Sequence, residues 1–99
     1  MAIMQLNIIP LGTQTPSVGQ YVADIQEVLR REGVPHKLTD MGTIIEGEPQ
    51  ALFALAARLH ELPFTSGVQR VVTQLVLDER RDKDVTLGDK TAAVQARLA

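Results

Sequence analysis

Ninety-nine residues, 44% apolar and 22% charged, make a single folded domain spanning residues 1–99, and neither a disordered nor a fibrous chain fits that balance. A net charge of −2 removes the electrostatic footprint of a nucleic-acid or anionic-lipid binder, and 3% aromatics leaves too few rings for a base-stacking platform. The absence of cysteine excludes disulfides, thiolate nucleophiles and thiolate metal sites, while the two histidines, His36 and His60, are too few and too far apart to spell a metal motif.

The apolar runs are broken every few residues by polar groups, and the N-terminus has neither a basic region nor a long apolar stretch behind it. The expectation is a cytoplasmic protein that does not enter a membrane. Residues 2–11 alternate, with Met4, Leu6 and Ile8 on one side and Ile3, Gln5, Asn7 and Ile9 on the other, which is the period of a half-polar strand. A loop follows through Pro10-Leu11-Gly12 and Pro16. Ser17 with Gln20 three residues on is a capping-box start for a helix carrying Val18, Tyr21, Val22, Ile25, Val28 and Leu29 at helical spacing, stopped by Gly33.

Residues 36–40 read as a second strand, joined by a Met41-Gly42 bend to a short third strand within the stretch 40–48, whose β-branched Ile44-Ile45 pair lies between glycines. Alternation sends Ile45 to a core and Glu46 to the other side. Pro49 suits the first turn of a helix, because no amide donor is needed there. Leu52, Leu55, Ala56, Leu59 and Leu62 form its buried stripe, and Pro63 is expected to end it. Residues 68–77 are rich in β-branched types and read as a fourth strand that the charged segment 78–84 interrupts. Thr86 and Asp89 can open a last helix over 87–98.

The order strand, helix, strand, strand, helix, strand predicts an α+β fold, a ferredoxin-like βαββαβ sandwich with a four-stranded antiparallel sheet and an extra C-terminal helix. In that arrangement the first and third strands are central. One sheet face stays bare of helices, and Gln5, Asn7, Ile9, Val72, Gln74 and Val76 make it too apolar for water and too polar for a dry core. It reads as an interface with another subunit, with room for a small polar ligand.

Among polar groups, the Glu46 carboxylate can accept from paired N–H donors of a cationic or amidine-like group, though an ion-paired strand residue is the plain alternative. Thr43 and Ser17 bring hydroxyls to one end of the sheet, Ser17 doubling as a helix cap. Gln5 and Asn7 carry amides that need partners once covered. Arg80-Arg81-Asp82-Lys83-Asp84 mixes bases with acids and so reads as a salt-bridged segment rather than a nucleic-acid patch. Arg70 is expected to meet Asp40 or Glu32. No nucleophile elbow, phosphate loop or zinc spacing is present, and the expectation is a protein that is not an enzyme and uses no cofactor or metal.

The stretches 17–23, 41–48, 67–73 and 78–83, with Gly42-Thr43-Ile44-Ile45-Glu46-Gly47 and Arg80-Arg81-Asp82-Lys83 the most specific, resemble in order and spacing the small thiamine-binding protein family. The resemblance implies a ferredoxin-like subunit that assembles through its sheets into a homo-oligomer, commonly a tetramer. It also implies binding of thiamine or its hydroxymethylpyrimidine part without chemistry, with Thr43 and Glu46 as the motif positions and Asn7 and Ser17 beside them. The alternative is a structural or regulatory module that associates with another protein through the open sheet face.

Overall fold

β1, Ala2–Leu11, is the strand on which the rest is assembled, because it is flanked on both sides. It pairs antiparallel with β3 (Gly42–Gly47) and with β4 (Arg70–Glu79), and β2 (His36–Thr39) extends the sheet beyond β3, giving the order β2-β3-β1-β4. The computed structural model describes residues 1–13 and 18–98. α1 (Gly19–Arg31) and α2 (Pro49–Thr65) cover one face of the sheet, and α3 (Asp89–Leu98) follows β4. This is the ferredoxin-like α+β arrangement that the element order predicts.

The core follows from the alternation of β1. Ala2, Met4, Leu6 and Ile8 are buried against Ile45 of β3, Ile25 and Leu29 of α1, and Leu52, Leu55, Ala56 and Leu59 of α2. Each fully buried leucine contributes about 1.5–3 kcal/mol relative to exposure, so the α2 stripe alone anchors that helix. Above the core, Arg58 of α2 forks onto Glu32 just past the end of α1, at 2.7 and 2.9 Å, and that hydrogen bond is the main reason the Glu32 carboxyl is held below its ordinary range. On the other face, the register places Gln5 opposite Val76, Asn7 opposite Gln74 and Ile9 opposite Val72, the mixed surface expected from the sequence. Of these, Ile9, Gln74 and Val76 are exposed.

Several boundaries differ from expectation. β4 runs on through Asp78 and Glu79, which pair with Ile3 and Ala2, because the ten-residue β1 offers partners to the end and exposed positions tolerate charge. Pro63 lies inside α2 rather than ending it. Its ring is fully buried, and its missing N–H falls in the last turn, where Ser66 and Val68 amides cap its own carbonyl at 3.0 and 3.3 Å. The capping box expected of Ser17 and Gln20 involves a residue outside the described ones; α1 is entered from Val18, which makes no side-chain cap, and the Gln20 amide donates to Asp24 at 2.8 Å. Arg70 meets neither Asp40 nor Glu32, the latter being engaged by Arg58. α3 begins at Asp89, whose carboxylate accepts from the Thr86 amide and hydroxyl, both at 2.8 Å, which is half of a capping box and draws the Asp89 carboxyl below its ordinary range. α3 buries none of its own residues.

Candidate functional site

The β2–β3 bend organises one end of the sheet. The Thr39 hydroxyl donates to the Gly42 carbonyl at 2.7 Å and accepts from the Met41 amide at 3.2 Å, closing the bend on itself. On the open face, Gln5 Nε2 and Asn7 Nδ2 both donate to the Met41 carbonyl, at 3.2 and 3.1 Å, tying the bend to the central strand. Gly42 permits this approach: its φ is +145°, and a Cβ there would stand 2.9 Å from each terminal atom of the Asn7 amide.

Thr43 follows, on the helix-covered face, and is buried at 5% exposure. Its hydroxyl accepts from Gln26 Nε2 of α1 at 2.9 Å. Thr43, though not Gln26, lines a recess of about 140 Å³ between α1 and the strands, whose wall combines Ile8, Val22, Ile25 and Leu38 with Asn7, Thr39 and Asp40. The Thr43 O–H remains a donor. Gln26 escaped the sequence reading, yet it carried a signal, since Val22, Ile25, Gln26 and Leu29 share one helical stripe and an amide there needs a partner.

The four expected site residues do not converge. Thr43 belongs to the recess. Asn7 borders it through the strand while its amide lies on the opposite face, holding Met41. Glu46 is on the open face at the far end of β3, paired in register with Ile3, and its Oε1 accepts from the Leu87 amide ahead of α3 at 2.7 Å. Ser17 lies outside the described residues. The Glu46 end borders a larger groove, about 590 Å³, between the open face and the segment leading into α3. His60 is structural, its Nδ1 2.6 Å from the Thr73 hydroxyl and its ring edge-on to Phe64.

Fold and recess together define a small ferredoxin-like domain with a buried threonine hydroxyl in the wall of a mixed apolar and polar recess at one end of the sheet. The chain belongs to the thiamine-binding protein family, whose model, described as "Thiamine-binding protein", matches residues 4–95. It is 48% identical to the UPF0045 protein YqgV of Bacillus subtilis, over 99% of this chain and 98% of that one. It is 36% identical to a UPF0045 protein of Methanothermobacter thermautotrophicus, over 99% and 100% of the two chains. Among solved structures, a hypothetical protein from Methanocaldococcus jannaschii superposes with a TM-score of 0.84 at 32% identity, over 95% of each chain. A putative thiamine biosynthesis/salvage protein from Thermotoga maritima shares the fold, with a TM-score of 0.77 at 16% identity over 94% of this chain and 97% of that one. No helix among the described residues is long and apolar enough to cross a membrane.

Proposed function

We propose that this chain binds thiamine, or a related hydroxymethylpyrimidine, without transforming it, as a homo-oligomer, a tetramer, in the cytoplasm. The observation that carries the reading is the buried Thr43 hydroxyl, held from behind by Gln26, in the wall of a recess of about 140 Å³ that mixes apolar and polar residues. An engineered cavity of about 150 Å³ holds one benzene, so the recess suits one six-membered ring. The Thr43 hydroxyl, which accepts from Gln26, keeps its own proton to donate to a pyrimidine ring nitrogen. Ser17, just ahead of α1, would add a second hydroxyl, and Asn7 positions the bend from behind. The family description supports the ligand class.

Glu46 can reach a ligand only on the open face, where sister copies would enclose it and its carboxylate could meet paired N–H donors. Calorimetry with thiamine separates the two placements. Saturable binding that survives Glu46→Gln and weakens in Thr43→Val places the ligand in the recess. Loss in Glu46→Gln alone moves it to the open face, and no heat at millimolar thiamine overturns the proposal.

A second reading rests on the exposed Ile9 and Val76 beside Gln74: a regulatory module that mates with another protein through this face. Gel filtration of Gln74→Arg tests the assembly part. If subunits separate while thiamine still binds, the site is not at the sheet interface.

A further inference from the structure

The groove at the Glu46 end lies on the opposite face of the sheet from the recess, and the reading of the recess leaves it without a task. Its floor is apolar, built from Ile3 of β1 and Ile44 of β3, both partly buried, and Val85 of the segment leading into α3 forms part of its wall. Its volume, about 590 Å³, falls in the range of small-molecule sites and far exceeds a surface dimple. Two ammonium groups border it from different elements. Lys37 comes from β2, in register with Ile44, and Lys90 from the first turn of α3.

Neither lysine has a carboxylate partner among the described residues, although carboxylates pair with arginines elsewhere on the surface. One acid, Asp78, also lines the groove, so the two lysines leave one positive charge in excess there. Two further carboxylates that could have neutralised the lysines are otherwise engaged: Glu46 holds the Leu87 amide and Asp89 caps Thr86. An apolar floor bordered by one positive charge in excess fits an apolar body bearing one anionic group.

We infer that the groove between the open sheet face and the start of α3 is a second binding site, for a small amphipathic anion, a phosphate ester or a carboxylate with an apolar body, held by Lys37 and Lys90 over Ile3 and Ile44. The site does not rest on the assignment of the recess. Leu87, whose amide is fixed by Glu46, keeps the wall in place.

The test uses the full chain and three probes, phenyl phosphate, benzoate and inorganic phosphate, followed by calorimetry and by amide shift changes. Saturable binding of phenyl phosphate or benzoate is expected, with shifts centred on Ile3, Ile44 and Leu87, and the tighter of the two identifies the anionic group. Both lysines are exposed, so the Lys37→Met, Lys90→Met double variant should unfold at the same temperature as the parent, and it should bind the better probe about a hundredfold more weakly, about tenfold per charged contact. Undiminished binding in the double variant, shifts centred elsewhere, or no saturation at millimolar probe overturns the assignment. Inorganic phosphate should bind more weakly than phenyl phosphate; equal binding would remove the apolar floor from the site.

Discussion

Thr43 and Glu46 stand three positions apart on β3 and therefore face opposite sides of the sheet, Thr43 toward Gln26 under the helices and Glu46 toward Leu87 on the bare side. One small ligand within a single subunit cannot touch both through one face. The two positions thus stand at two separate places, and variants at each should fail differently.

Thr43→Val keeps the shape of the side chain and removes the oxygen that Gln26 Nε2 bonds. The amide is left partly buried without its acceptor, which costs about 1–2 kcal/mol. Urea unfolding should show that loss, and Thr43→Ser should recover most of it. Thiamine affinity, read by calorimetry, should fall about tenfold in the valine variant.

Gly42→Ala forces a side chain into a backbone at φ +145° and puts its Cβ 2.9 Å from the Asn7 amide. The Asn7 side chain can swing aside, but the backbone strain cannot be relieved, so a loss of about 1–3 kcal/mol is expected in denaturant unfolding. Because the swing already breaks the tie to Met41, Asn7→Ala should cost less in the Gly42→Ala background than in the parent. Additive losses in that cycle would show that the two residues are not coupled.

Glu46→Ala removes the hydrogen bond that fixes the Leu87 amide. α3 buries none of its own residues, so the core is untouched and the midpoint of global unfolding should move by less than about 1 kcal/mol. Amide exchange and proteolysis between residues 80 and 98 should instead accelerate several-fold. A large global loss with unchanged local exchange would contradict this division.

Acid acts on the same segment through Asp89. Its carboxyl is drawn below the ordinary range first by the Thr86 amide and then by the Thr86 hydroxyl. A depressed carboxyl contributes stability that is complete above the ordinary aspartate value, about 3.9, and is lost as the pH falls through its folded value. The Thr86 amide signal should therefore titrate below about pH 4, and Asp89→Asn should abolish that titration while leaving the strands unchanged.

Much of the fold is legible in the periodicity. The alternation of Met4, Leu6 and Ile8 against Gln5 and Asn7 fixes which face of β1 is buried, and the stripe Leu52, Leu55, Ala56 and Leu59 fixes the face of α2. What pattern could not supply was pairing length: Asp78 and Glu79 look like a strand's end until β1 is seen to have Ala2 and Ile3 waiting opposite. Pro63 misleads because it forfeits the helical hydrogen bond to the Leu59 carbonyl, a loss that full burial of its ring offsets. At the site, the odd spacing of Thr43 and Glu46 already implied opposite faces. The partner of each was hidden, because Gln26 and Leu87 are brought there by tertiary packing and by the return of the chain after β4.

The crosstie from Gln5 and Asn7 ends on a main-chain carbonyl, so it makes no demand on the side chain at position 41, which is 78% exposed. That position is free to vary where Gly42 is not. In a chain with no native thiol, Met41→Cys would accept a single fluorophore or spin label next to the Thr43 recess without disturbing its walls, giving occupancy there an optical or magnetic readout.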